Sequence, residues 1–433
     1  MRVAATLIAV AGVWWSGAFA AEEGAGGGTR VRSYHDVFGN LLHEGEYLDN
    51  ALHGRAAWYY PNGQVRVEAT FANGRISGQW TEYYENGQIR ATGEGYTRDR
   101  VAADLFEGPY EPVRNGRWVV YHRNGNRYFE GTYVNGNLDG PAVWYYASGQ
   151  VRIEATFEQG SLAGAWTAYH ENGRVRATGE AFASRHGRNT PEDPLRTGKW
   201  AEYDPDGNLM FEGEYENGFL HGRAVQYFTN GQVRIEATFE RGQPSGMWTE
   251  YYSNGQVRAR GEAAGTGSSE NGFSSPVRTG VWIEYYPHGT PFFVGTYIDG
   301  VLDGRIVEYY SNGRERIVAE FDEGTPVGAW TRYYDNGQVH QTGEVLGIMP
   351  GGHPYASPIR TGLWLTFGPD GALREAGRYE NGALKARLPF TKDPVTGLNR
   401  LETIEPDGRR LVYMIGQSGI VAVGYEDPIG TIP

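Results

Sequence analysis

The 433-residue sequence contains no cysteine. Disulfides, thiolate metal sites and thiol catalysis are therefore excluded, and stability outside the cell would have to come from packing alone. No lipobox cysteine exists either, so no lipoprotein anchor is expected. Long apolar runs are also scarce, and nothing after Trp15 is apolar for long enough to cross a bilayer as a helix. No stretch carries a helical period of 3.6 residues. Positive charge is in deficit, with 39 Lys and Arg against 52 Asp and Glu and a net charge of −13. Such a chain repels nucleic acid and anionic lipid on average. No nucleic-acid partner is expected, and charge does not point to a membrane surface.

What is abundant is glycine, at 64 residues, together with 30 Tyr and 12 Trp. Glycine without a three-residue period excludes collagen, and aromatic richness argues against disorder. Frequent turns between aromatic strands remain. The N-terminus adds a compartment. Met1-Arg2, the uncharged apolar run Val3–Trp15 and the small residues of Ala18-Phe19-Ala20 form a Sec-type signal peptide over residues 1–20. Export to the periplasm or the extracellular space is therefore expected, with net charge −14 after Arg2 is removed. Residues 21–36, Gly-rich and polar, read as a flexible lead-in.

Repeats organise the rest. Gly39, Gly63 and Gly87 lie 24 residues apart, and the triplet returns as Gly125, Gly149 and Gly173, as Gly207, Gly231 and Gly255, and as Gly289, Gly313 and Gly337. From Gly125 the triplets recur every 82 residues, which groups the chain as 37–123, 124–205, 206–287 and 288–369, with a fifth copy opening at Gly371. In one unit, Val65, Val67, Ala69 and Phe71 alternate with Arg66, Glu68 and Thr70, the period of a half-buried strand. A turn follows at Ala72-Asn73-Gly74, then a second strand at Trp80–Tyr84 and an Asn-Gly turn at Glu85-Asn86-Gly87. The array over 37–382 is thus expected to be all-β: an elongated, single-layer, twisted antiparallel meander of about twelve hairpins. At roughly 4.8 Å per strand its roughly 24 strands would span about 115 Å untwisted. Residues 383–433 lose the period but keep strand alternation, as expected of a β-segment that caps an open sheet edge.

Alternation predicts two faces. Val65, Val67, Ala69, Phe71, Thr81 and Tyr83 are expected on one, where the Tyr83 column, repeated from Tyr59 to Tyr333 and ending in Phe367, would bury itself as a ladder. The other face would carry Glu68, Glu82 and a Trp column: Trp80, Trp118, Trp166, Trp200, Trp248, Trp282, Trp330 and Trp364. Arg66, Arg90, Arg152, Arg176, Arg234 and Arg258 would share it. A structural Trp/Arg ladder and an amphipathic groove for glycans or an extended peptide both fit this pattern. Every third hairpin also carries an insertion, at Tyr96–Asn115, Phe182–Thr197, Ala264–Thr279 and Leu346–Thr361. These close on Arg114, Arg196, Arg278 and Arg360 within a Pro-x-Arg phrase. Insertions at one phase of a repeat array project along one side, as spacers or as recognition loops.

The segment Glu130-Gly131-Thr132-Tyr133-Val134-Asn135-Gly136-Asn137-Leu138-Asp139-Gly140 resembles the MORN repeat, and Trp80–Gln88 resembles the MORN variant of bacterial YwqK-type antitoxin proteins. The resemblance implies a protein-interaction or lipid-associated module, and its antitoxin branch implies a toxin partner. The signal peptide sits poorly with a cytoplasmic toxin.

Catalytic signals are thin. His53 and His221 occupy a turn position that holds Asp139 and Asp303 in other copies. Asp204-Pro205-Asp206-Gly207-Asn208 lacks the downstream Glu of a calcium loop, and Gly265-Thr266-Gly267 lacks the strand-to-helix setting of a phosphate loop. Glu68 and Glu82, like Glu236 and Glu250, are repeated pairs suited to cross-strand ion pairing rather than to one privileged acid–base site. No cofactor or metal is expected. The sequence therefore points to an exported scaffold binding a protein or a polysaccharide through the Trp/Arg face and the aligned loops. An antitoxin-like protein and, more remotely, a carbohydrate-active enzyme are the alternatives.

Overall fold

A computed structural model describes residues 19–23 (backbone only), 28–98, 111–265, 273, 276–348, 358–404 and 409–426. The expected signal peptide lies outside them apart from Phe19 and Ala20. All regular elements among the described residues are strands. The chain divides into two units near Phe219. In the first, strands from Phe19–Glu23 to Leu209–Glu216 each pair antiparallel with the next, a meander of hairpins. In the second, the same meander runs to Ala383–Arg387. A separate sheet then forms from Phe390–Lys392, Asn399–Ile404, Arg410–Gly416 and Gly419–Glu426. Part of the expected flexible lead-in is sheet: Arg30–His35 pairs along Leu41–Leu48. It covers what would otherwise be an unpaired edge of Leu41–Leu48.

Two turn types alternate. Asn73-Gly74 has positive φ at both residues, and Ala72 pairs directly with Arg75. This is the two-residue turn whose twist matches that of the flanking strands. Glu85-Asn86-Gly87 is a three-residue loop in which only Gly87 is left-handed, with Gly87 N–H donating to Tyr84 C=O at 2.9 Å.

The two-residue turn sets the faces, and they differ from the expected ones. Phe71 stands opposite Ile76 and Ala69 opposite Trp80. Val67, Ala69, Phe71, Ile76 and Trp80 therefore share one buried face. Glu68 stands opposite Thr81, on the other face with Tyr83. A register shift between the Ala69 and Phe71 pairings places two extra residues in the strand Arg75–Tyr83. Bulges of this kind bend a strand, so Ile76 and Trp80 from its two arms enter the same cluster.

Close packing constrains the third hairpin of each group. Trp166 and Trp200 flank Gly179 in neighbouring strands, and a Cβ there would lie 2.4 Å from the Trp200 indole. Gly93, Gly261 and Gly343 stand in the same relation to Trp118, Trp282 and Trp364. Gly179→Ala should therefore cost about 1–3 kcal/mol by overpacking. A lowered urea midpoint with altered Trp fluorescence would register it, and an unchanged midpoint would contradict this packing.

The terminal sheet docks on the other face. Leu401 and Ile415 are fully buried against Val339, Leu365, Phe367, Leu373 and Ala376. Leu365 and Phe367 lie on the Tyr side of their strand, opposite in direction to Trp364.

Candidate binding surface

The Trp column is interior, which corrects the expected exposed groove. Trp80, Trp118, Trp166, Trp200, Trp248, Trp282, Trp330 and Trp364 are each at most 5 % exposed. Six of the eight indole N–H groups, those of Trp118, Trp166, Trp200, Trp248, Trp282 and Trp364, are turned to the protein's own acceptors: Trp118 donates to Glu94 C=O at 2.7 Å, Trp200 to Glu180 C=O at 2.8 Å and Trp282 to Glu262 C=O at 2.7 Å. Trp166 and Trp200 pack as tilted rings with centroids 5.2 Å apart, and Trp330 and Trp364 likewise at 5.4 Å. The physical reason is the register: opposite Ala and Gly, an indole fills the space that small residues leave.

The four loop-closing arginines meet the same column. Arg114 lies 4.7 Å over Trp118 and 5.4 Å over Tyr133. Arg196 sits between Trp200 and Tyr215, Arg278 between Trp282 and Tyr297, and Arg360 between Trp364 and Tyr379, all within 5.3 Å. Each guanidinium is thus held between two ring faces, a favourable cation–π arrangement. Arg196 also pairs with Glu202 at 2.5 Å, and Arg278 with Glu284 at 2.6 Å. The sequence reading placed these Trp and Arg residues in one surface but missed the Tyr on the far side, which lies 19 residues after each Arg.

The Tyr83 column lies on the opposite face and is half-buried rather than self-burying. Tyr83 O–H donates to Glu68, which pairs with Arg55 at 2.5 Å. Tyr251, Glu236 and Arg223 repeat the arrangement. Burial and Glu154 push the Tyr169 hydroxyl up to about 12, so it stays a donor. Threonine pairs Thr81–Thr92, Thr167–Thr178 and Thr331–Thr342 bridge strands at 2.9–3.1 Å. Glu82 is not on the face of Glu68: it stands opposite Val67 and pairs with Arg90, as Glu250 does with Arg258. The expected ion pairing exists, through partners other than Arg66.

A second aromatic row, one residue later, ties neighbouring hairpins together. Tyr60 O–H donates to Tyr83 C=O and Tyr84 O–H to Tyr121 C=O, both at 2.7 Å. Asn62 of one turn donates to Glu85 C=O of the next at 2.9 Å. In the second unit, Tyr286 and Tyr310 repeat the contact.

The sequence profile of the MORN repeat variant matches residues 52–73, 76–94, 114–135, 138–159, 196–217, 244–262 and 326–345. That of the MORN repeat matches residues 211–233. The chain is a MORN-repeat protein. No curated protein matches it. Among solved structures, it is similar to BamB from Moraxella catarrhalis at 12% identity, over 83% of this chain and 93% of that one, with a TM-score of 0.14. It is also similar to a europium-containing methanol dehydrogenase at 14% identity, over 94% and 85%, with a TM-score of 0.10. Superpositions this poor carry no argument about this chain.

Within the MORN array, the insertion Phe182–Thr197 folds back over the core. Pro191 C=O accepts the Trp166 indole N–H at 2.9 Å, Glu192 pairs with Arg152, and Asn189 caps Leu138 N–H at 2.9 Å. From the next insertion, Phe273 packs on Phe239 and Trp248. Residues 99–110, 266–272, 274–275 and 349–357 of the other insertions, including Thr266-Gly267, lie outside the described residues. The turn position of His53 is an acceptor for the following turn: Asn73 N–H reaches His53 Nδ1, and Asp139 and Asp303 accept equivalent bonds, all at 3.4 Å. Asp204 accepts from Asp206 and Asn208 N–H, closing its own turn. His43 is fully buried where the next group has Phe129. Its Nδ1 meets Ala57 C=O and its Nε2 the Tyr47 hydroxyl, each at 3.0 Å. Burial depresses its pKa to about 4. Among the described residues, no cluster of His, Asp or Glu could hold a metal ion.

Proposed function

We propose that this MORN-repeat protein is an exported interaction scaffold, working in the periplasm or outside the cell, that presents its Tyr face and aligned loops to a protein or polysaccharide. The observation that supports this most is internal. The chain's own terminal sheet is seated on that face at the end of the array, where Leu363, Leu365 and Phe367 replace the Arg117, Val119 and Tyr121 of an earlier copy. A face able to accept one partner there stays half-exposed along the other hairpins. The antitoxin alternative rests on the family resemblance alone.

Full-length mature chain from Ala21 onward should capture a stoichiometric partner from its native cell envelope. A Tyr83→Ser, Tyr121→Ser, Tyr145→Ser variant should lose that partner while keeping its β circular dichroism. Capture unaffected by the triple change would remove the Tyr face from the proposal. No capture by the native chain would remove the scaffold role.

A further inference from the structure

An open cavity of about 420 Å³ lies beside Arg114, walled by Pro112, Tyr133, Asn135, Asn137 and Asn189 among others. Its volume is in the range of small-ligand sites. The internal repeats supply the comparison. Arg196 and Arg278 occupy the same place in their copies and each has a carboxylate at close range, Glu202 and Glu284, six residues on. In the fourth copy Gln341 Oε1 accepts from Arg360 at 3.3 Å. At the equivalent position after Arg114 stands Val120, which packs against the core. Among the described residues, the one acid near Arg114 is Glu111, 3.9 Å away with its side chain 72% exposed. An exposed pair at that distance is worth little. The guanidinium is nevertheless fixed in place, between the Trp118 and Tyr133 rings, with Tyr133 O at 3.4 Å from its Nη1.

The remaining wall is rich in donors. Tyr133 accepts from Arg114, so its own O–H is available to a ligand. Asn135 Oδ1 is taken by the Tyr96 hydroxyl at 2.9 Å, leaving its NH₂. Asn189 Oδ1 is taken by Leu138 N–H, and one hydrogen of its NH₂ goes to Gly136 C=O at 3.5 Å, leaving the other. Among the described residues, no carboxylate lines the cavity.

We infer that this cavity is a subsite for a uronic-acid residue of an acidic polysaccharide, whose carboxylate pairs with Arg114 as Glu202 and Glu284 pair with the equivalent arginines of the next two copies. A planar guanidinium binds a carboxylate through paired N–H donors. The neighbouring amides and phenol match ring hydroxyls, and Pro112 offers an apolar edge to the sugar ring. A lone acidic side chain of a peptide would use the arginine and leave the amides unfilled. The inference deepens the scaffold reading by naming a ligand class, and the two can fail separately.

The test is calorimetric titration of the full-length mature chain with tri-galacturonic acid, its fully methyl-esterified form, and a blocked glutamyl dipeptide. The native chain should bind the acid and not the ester. Arg114→Gln should weaken binding at least tenfold, and Arg278→Gln, at a site already neutralised by Glu284, should leave it unchanged. Val120→Glu, which supplies a carboxylate from within, should also abolish binding while the β circular dichroism is kept. Absence of binding by the native chain, equal binding of the ester, tighter binding of the dipeptide, or indifference to both Arg114→Gln and Val120→Glu would each overturn the inference. Envelope capture that survives Val120→Glu would leave the scaffold standing without the uronate site.

Discussion

Trp248→Ala should destabilise the hairpins around it by about 3–5 kcal/mol, the cost of emptying a large buried aromatic site. The indole is 1% exposed, lies 5.8 Å from the Phe273 ring, and donates to Glu250 at 3.1 Å. Three losses coincide on truncation: apolar contact, ring packing, and the partner of a carboxylate already engaged by Arg258. Tyr251, three residues later and on the opposite face, is half-buried and holds only a long 3.4 Å bond to Glu236. Tyr251→Ala should cost less, about 1–2 kcal/mol, within the ordinary range for single substitutions. Each hairpin of a repeat array leans chiefly on its neighbours. Hydrogen exchange over Val233–Glu240, Gln243–Tyr251 and Val257–Ala264 is therefore the sharper measurement, with the thermal midpoint beside it. Equal losses in the two variants would mean that the aromatic columns share the core between them.

That contrast reverses the sequence-based expectation, and the reason is one residue of turn length. Counting Ala72-Asn73-Gly74 as the loop places Phe71 opposite Arg75 and sends Trp80 away from Ala69. Counting only Asn73-Gly74 pairs Ala72 with Arg75 and puts Trp80 on the face of Ala69, and the two extra residues of the bulge then bring it directly opposite Ala69. A slip of one residue moves a whole strand's side chains to the other face. The Asn-Gly pair did carry the information, because both residues take positive φ only in the two-residue turn. The hairpins, their antiparallel order and the nested periods were legible because turn residues recur at fixed spacing. The bulge beside Gly78 was not, since a register shift leaves the strand's own alternation intact. Nor was the lid made by Phe182–Thr197, which depends on Pro191 and Asn189 meeting groups about 25 and 50 residues away in sequence. The arginine clamps were half legible: Trp and Arg recur together, but the Tyr that completes each clamp lies across a strand pair and shows only in three dimensions.

His43 gives the fold an acid-sensitive end. It stands opposite Trp58, with ring centroids 4.3 Å apart, in the place Phe129 occupies opposite Trp144. The Ala57 carbonyl accepts the Nδ1 proton, so Nε2 is left to accept from Tyr47 O–H, and the ring is neutral. Burial is the larger influence and lowers the pKa from 6.5 to about 4, while the bond to Ala57 opposes it. The unfolded chain then binds more protons than the folded one between these values. Stability is fully present above about pH 6.5 and is lost as pH falls toward 4, by roughly 3 kcal/mol in all at about 1.4 kcal/mol per unit. The loss should be local, appearing first as faster hydrogen exchange in Leu41–Leu48 and Ala51–Tyr59. His43→Phe, copying Phe129, should flatten the pH dependence of exchange in those two strands while leaving the hairpin Val151–Glu158 and Ser161–Tyr169 unchanged. If the native strands Leu41–Leu48 and Ala51–Tyr59 exchange at the same rate at pH 7 and pH 4.5, relative to that hairpin, the ring already carries its proton at neutral pH or is reached by water.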